Sequence, residues 1–167
     1  MKAPKSFRLH IGIFGRRNAG KSSILNALTQ QDVSIVSDVA GTTTDPVEKP
    51  MELLPLGPVL FIDTAGIDDE GVLGGKRVAK TLAVFDRTDL GIIVTNFADW
   101  GDYELSLMEE FKNRDIPFVI VFNKIDVAGE NQDITAQLES VKIKYVFTSA
   151  TGNSGIQELR QLLLKTA

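Results

Sequence analysis

Residues 15–22 read GRRNAGKS, from Gly15 to Ser22. Ahead of them Leu9, Ile11 and Ile13 alternate with other residues, and Phe14 closes the run; behind them Ile24-Leu25-Asn26-Ala27-Leu28 has a short helical pattern. Strand, glycine loop, helix is the setting in which this spacing forms a phosphate cradle. Gly15 and Gly20 permit backbone angles that turn successive N–H groups inward. The helix beginning near Lys21 adds unpaired N–H donors and the positive end of its dipole. From this stretch Gly15, Asn18, Ala19, Gly20, Lys21, Ser22 and Ser23 are expected to line the phosphates. Lys21 can reach the β- and γ-phosphates, and the Ser22 hydroxyl can ligate Mg²⁺.

The chain has 167 residues, which points to one domain spanning 1–167. It is 43% apolar, enough for a sizeable core, and carries a net charge of −4. No broad basic field favours nucleic acid or an anionic membrane, so neither is expected as a partner. Positive charge is local, at Arg16, Arg17 and Lys21. With no cysteine, disulfides and cysteine-ligated metals are excluded within this chain. Met1 to Leu9 is basic but lacks the long apolar run of a signal peptide, and no apolar stretch is long enough to span a membrane. A cytoplasmic location is therefore expected.

Further along, Gln30–Asp45 is polar, holds Gly41 and a threonine run, and reads as a long functional loop. Val47–Leu54 is a strand candidate, but Pro46, Pro50 and Pro55 place it at an edge. Val59-Leu60-Phe61-Ile62 is a fully apolar strand ending at Asp63, and Gly66–Lys76 is rich in Gly and Asp. A helix is expected over Val78–Phe85, a strand over Leu90–Thr95 and a helix over Asp102–Arg114. Phe118–Phe122 is apolar without alternation, as in a central parallel strand. A short helix around Leu138, a strand over Tyr145–Thr148 and a helix over Asn153–Lys165 complete the chain, the last with Ser154 and Gln157 as a capping box. This order specifies an α/β fold: an open, mostly parallel six-stranded sheet with one antiparallel edge strand and helices on both faces.

The chemically loaded residues fall at the carboxyl ends of the strands. Asp63-Thr64-Ala65-Gly66 follows an apolar strand, so Asp63 can hold Mg²⁺ through water while the Gly66 N–H approaches a γ-phosphate. Asn123-Lys124-Ile125-Asp126 follows Phe118–Phe122. An ionised Asp126 can accept the two N–H donors on guanine N1 and N2, which adenine lacks. Such bonds are worth roughly 1.5–3 kcal/mol each. Asn123 can tie its loop to the phosphate loop, and the Lys124 stem can lie over the base. In Ser149-Ala150-Thr151 the Ala150 N–H can meet guanine O6. A threonine in Gly41-Thr42-Thr43-Thr44-Asp45 can complete the Mg²⁺ shell and release after hydrolysis.

These five marks resemble the translation-factor class of P-loop GTPases and cover nearly the whole chain. GRRNAGKSS, SDVAGTTTDP and the apolar residue after DTAG are similar to the bacterial TrmE/Era/Der-like group, which includes the tRNA-modification and ribosome-assembly GTPases. Within it, TTTDPVEKPMELLPLGPVLFIDTAGIDDEG resembles the [FeFe]-hydrogenase maturation GTPases (HydF). The resemblance implies GTP/GDP and Mg²⁺ as ligands, with Thr43 on Mg²⁺ beside Ser22 and Asp63. It implies K⁺ held by Asn18 and the backbone of Ser37–Thr42. Lys21, Thr43, Gly66 and, through K⁺, Asn18 would then be the catalytic set. The family protein has three parts, and this chain corresponds to its GTPase domain. The dimerisation and iron–sulfur domains would be absent, so no iron–sulfur cluster is expected here. Radical-SAM maturases and apo-[FeFe]-hydrogenase would be partners of the longer protein, and a dimer is left open. The other readings are a nucleotide switch with little hydrolysis and the G domain of a tRNA-modification or ribosome-assembly GTPase.

Ile67 stands where many GTPases place a water-orienting Gln, so the water-positioning residue is unassigned and slow turnover is expected. Arg16 and Arg17 read as solvated charge near phosphate, with an intrinsic arginine finger as the alternative. His10 and Trp100 read as packing residues.

Overall fold

The computed structural model describes residues 8–16, 19–29, 47–53, 57–64, 82–124, 131–149 and 155–167. Six strands form one sheet: β1 (Leu9–Gly15), β2 (Val47–Leu53), β3 (Gly57–Asp63), β4 (Leu90–Thr95), β5 (Phe118–Phe122) and β6 (Tyr145–Phe147). The helices are α1 (Lys21–Thr29), α2 (82–87), α3 (Asp102–Asn113), α4 (Gln132–Ser140) and α5 (Ile156–Thr166). The strand order is β2-β3-β1-β4-β5-β6. Among the described residues only the β2–β3 pair is antiparallel, and β2, which carries Pro50, lies at the edge, where proline is tolerated.

The inner strands β3, β4 and β5 carry long apolar runs because both their faces are covered. Alternate residues go to opposite sides. Ile11, Ile13, Val59, Phe61, Ile92, Val94, Val119 and Val121 meet α1 and α5 through Ile24, Leu25, Leu28, Ile156, Leu159 and Leu163. Phe14, Leu60, Ile62, Ile93, Ile120 and Phe122 meet α2, α3 and α4 through Val84, Phe85, Leu107, Met108, Phe111 and Leu138. The first face is almost wholly aliphatic and the second is aromatic. On it Phe14 stacks on Phe85 at 4.4 Å between ring centroids, and Phe111 meets both edge-on at 5.2 and 4.9 Å.

Glycine makes the room for these rings. A Cβ on Gly91 would lie 2.3 Å from two ring carbons of Phe111, and one on Gly12 would lie 2.6 Å from Thr88 Oγ1. Helix ends are fixed by specific side chains. The Asn131 side chain accepts from the N–H groups of Asp133 and Ile134 to start α4. Arg160 of α5 donates from Nη2 to the Leu28 carbonyl, 2.7 Å away, at the end of α1.

Most boundaries fall within one or two residues of those expected from sequence. The start expected at Val78 for the helix before β4 lies outside the described residues, and the last helix is an exception. It begins at Ile156, after Gly155 in the left-handed region, rather than at Asn153. The expected capping box involves Ser154, which lies outside the described residues. Among the described residues no helix is long and apolar enough to cross a membrane.

A methyl group at Gly91 has no space beside the Phe111 ring. Gly91→Ala should destabilise the fold by about 1–3 kcal/mol through overpacking. A urea midpoint unchanged from wild type would show that the aromatic face has slack that the structure does not display.

Candidate nucleotide site

Register places the strand ends along one rim. Ile13 pairs with Asp63, Gly15 with Val94, Thr95 with Phe122, and Phe122 with Phe147. The residues that follow the five parallel strands, namely Arg16, Thr64, Asn96, Asn123 and Thr148, are thereby brought side by side. This is where ligands bind in open α/β sheets.

The phosphate loop is held tightly. Lys21 is 2% exposed, and its Nζ donates to the carbonyls of Gly15 at 2.5 Å and Arg16 at 2.9 Å. Gly20 has φ +100°, a conformation that L residues rarely adopt, and a Cβ there would fall 2.3 Å from Asn123 Nδ2. Both features require glycine. α1 starts at the next residue, which sets its unpaired N–H groups at the mouth of the loop.

The Ser22 hydroxyl donates to Asp63 Oδ2 at 3.1 Å. Two residues that were read separately as Mg²⁺ contacts therefore meet. A hydroxyl and a carboxylate are hard oxygen donors, and Mg²⁺ commonly takes one or two such ligands together with phosphate oxygens. Thr64, fully buried, fixes the exit of β3 by donating from Oγ1 and N to the Ile13 carbonyl at 2.7 and 3.2 Å.

Asn123 is 3% exposed. Its Nδ2 donates to the Ala19 carbonyl at 3.0 Å, and its Oδ1 accepts from Thr148 Oγ1 at 2.9 Å. It thus joins the loop after β1 to the loops after β5 and β6. Lys124 follows with φ +57° and an exposed side chain. Left-handed non-glycine residues are strained by about 1–3 kcal/mol and gather at binding sites. Ser149 is buried beyond β6 and Ser23 is exposed on α1. Asn18, Thr43, Gly66, Asp126 and Ala150 lie outside the described residues, as do Arg17, Ile67 and the Ser37–Thr42 loop.

One sequence reading needs correction. Arg16 is neither solvated charge nor a poised finger. Its Nε and Nη2 donate to both carboxylate oxygens of the buried Glu104, at 2.9 and 3.2 Å. Glu104 gave no signal in the sequence, where it reads as an ordinary acidic residue in the first turn of a helix. Trp100 is half-buried and packs on the Phe122 ring at 5.6 Å between centroids. His10 is a packing residue at the foot of the sheet, with Nδ1 2.9 Å from the Arg87 carbonyl and its own N–H donating to Asp89.

The family described as 50S ribosome-binding GTPase matches residues 10–124, which is well over half of the chain. The chain belongs to that family. It is a P-loop GTPase domain of the TrmE/Era/Der type, one that binds and hydrolyses GTP. It is 35% identical over 162 residues to the tRNA modification GTPase MnmE of Flavobacterium johnsoniae, covering 92% of this chain and 34% of that protein. It is 34% identical over 178 residues to GTPase Der of Wolinella succinogenes, covering 98% of this chain and 36% of that one. The chain therefore spans about a third of the length of these curated relatives. Among solved structures it superposes on Aquifex aeolicus Era bound to GDP and AlF₄⁻, with a TM-score of 0.74 and 27% identity, over 94% of this chain and 56% of Era. Era in complex with MgGDPNP and a 16S ribosomal RNA segment matches equally well.

Asn123→Ala would strip partners from the buried Thr148 hydroxyl and the Ala19 carbonyl. Unsatisfied buried groups cost about 1–3 kcal/mol each, so this variant should lose stability of that order without any nucleotide present. A denaturation curve matching wild type would mean that water replaces both contacts.

Proposed function

We propose that the rim formed by the phosphate loop, Asp63 and the Asn123 loop is the GTP site, with residue roles as follows. The observation that carries this is the convergence of Lys21, Ser22, Asp63 and Asn123 from three separate chain segments. Gly15, Asn18, Ala19, Gly20 and Ser23 line the phosphates together with Lys21, whose ammonium meets the β- and γ-phosphate oxygens. Ser22 and Asp63 would hold Mg²⁺, and Thr43 would complete its shell when the γ-phosphate is present. Mg²⁺, when bound, offsets the negative charge on the phosphate oxygens. The Gly66 N–H approaches the γ-phosphate. Asp126 reads guanine N1 and N2, Lys124 covers the base, and Ser149 and Ala150 close over its O6 side. Asn18 and the Ser37–Thr42 backbone would hold K⁺, a reading supported by the sequence resemblance.

Losing both Asp126 bonds in Asp126→Ala should weaken GTP by about two to four decades, since each is worth roughly 1.5–3 kcal/mol. The affinity for ATP should stay low in both proteins. Calorimetry in Mg²⁺ that found GTP and ATP bound alike by the unaltered chain would end this assignment. GTP turnover should be faster in K⁺ than in Na⁺ of equal strength, and Asn18→Ala should remove the difference. Equal rates under all three conditions would exclude the K⁺ site.

For the whole protein we favour a role linked to RNA or the ribosome. The support is the family description, the tRNA modification GTPase relatives and the Era complex with ribosomal RNA. The expectation of no nucleic-acid partner, drawn from the acidic charge, therefore loses weight for the whole protein. A second reading keeps the GTPase domain of a hydrogenase maturation scaffold, with radical-SAM maturases and apo-[FeFe]-hydrogenase as partners. Its support is the segment TTTDPVEKPMELLPLGPVLFIDTAGIDDEG. Under that reading the cluster and dimerisation functions belong to domains outside this chain. Filter binding of the whole protein to ribosomal RNA, with and without GTP, separates the two. Retention of RNA supports the first, whereas no retention together with a downstream Cys/His set supports the second. In either case GTP occupancy is expected to reshape the loops read from sequence at Gln30–Asp45 and Gly66–Lys76. Hydrogen exchange compared between GDP and a non-hydrolysable GTP analogue reads this directly, and identical exchange would remove the switch.

A further inference from the structure

Arg16 sits inside the phosphate loop, yet its guanidinium is committed to α3. Nε and Nη2 donate to Oε2 and Oε1 of Glu104, a carboxylate with no exposed surface. The same carboxylate accepts from Thr95 Oγ1 at 3.1 Å and from the Gly101 N–H at 2.9 Å. Each oxygen thus has two donors. Tyr103, one residue before Glu104, lies under the guanidinium at 5.2 Å from its ring centroid, with its hydroxyl 3.5 Å from the Gly15 carbonyl.

The backbone of Arg16 faces the other way. Its carbonyl accepts from Lys21 Nζ at 2.9 Å and from the Ala19 N–H at 3.1 Å. One residue therefore anchors the loop to α3 with its side chain and orients the phosphate-binding lysine with its main chain. Thr95 extends the link. Its hydroxyl meets Glu104, while its carbonyl accepts from the Asn123 N–H at 2.7 Å.

We propose that Glu104 is a positioning residue for phosphate binding. It holds Arg16, and through Arg16 the first turn of the phosphate loop and the Lys21 amine, in the shape that receives nucleotide. The Arg16 charge is spent on Glu104 rather than on phosphate. The proposal rests on the GTP-site reading above and adds a second fastening to the one made by Asn123.

GDP is titrated calorimetrically in Mg²⁺ into the unaltered chain, Arg16→Lys, Arg16→Gln, Glu104→Gln and the double Gln variant. Each single variant should bind GDP about tenfold or more weakly. Arg16→Lys should be as weak as Arg16→Gln, because an ammonium cannot span both carboxylate oxygens as a guanidinium does. The double variant should be no weaker than the weaker single, since both changes cut one link. The preference for GDP over ADP should persist in all of them, which a general folding defect would not preserve. Full affinity in Arg16→Lys would overturn the proposal by showing that charge alone matters. A double variant as weak as the product of its singles would do the same. If Glu104→Gln does not fold, Arg16→Lys, altered at a side chain 30% exposed, decides the matter alone. No GDP uptake by the unaltered chain would overturn the nucleotide reading itself.

Discussion

The Asn123 side chain is the joint on which the site depends. A carboxamide has one acceptor oxygen and one donor nitrogen, and here each faces a different loop. Nδ2 reaches back to the Ala19 carbonyl in the phosphate loop, and Oδ1 takes the hydroxyl proton of Thr148 after β6. With the side chain 3% exposed, water cannot substitute freely for either partner. The three loops that would grip phosphate and read a base are thereby locked to one another as well as to the strands they leave. The cost of this arrangement appears at Gly20. No other residue could let the amide of Asn123 approach the loop so closely.

The sheet makes such a joint feasible. Parallel strands in register bring their carboxyl ends to one line, and burial on both faces stops any strand from sliding. A shift of one residue in β5 would exchange Val119 and Val121 with Ile120 and Phe122 between an aliphatic face and an aromatic one. Phe122 then could not stack on Phe97, as it does with centroids 4.1 Å apart. The core thus fixes where Asn123 emerges. The side chain fixes what it holds.

Much of this could be read from the chain. Uninterrupted apolar runs at 59–62, 90–94 and 118–122 announced buried strands, and prolines near 46–55 announced the edge. GRRNAGKS, DTAG and NKID each sit where a strand ends, so their convergence followed from the fold. The start of α5 was misjudged because the turn there is set by Gly155 in a left-handed conformation, while the polar residues before it mimic a helix cap. The pairing of Ser22 with Asp63 was anticipated only as two contacts to a common ion. Their direct hydrogen bond is a matter of distance that sequence does not contain.

Arg16 shows the limit most sharply. An arginine in a loop built for anions reads naturally as one more cation for the anion. What decides its role is a carboxylate 88 residues away. Glu104 also looks ordinary where it stands, the third residue of an amphipathic helix whose N-terminus favours acids. Neither residue carries a mark that points to the other. Burial makes the pair specific. A carboxylate without solvent must collect donors, and the guanidinium fork is the group able to engage both oxygens at once. Of the two described cations in the loop, Arg16 is thus tied to a distant helix, while the Lys21 amine stays with the loop itself through the carbonyls of Gly15 and Arg16.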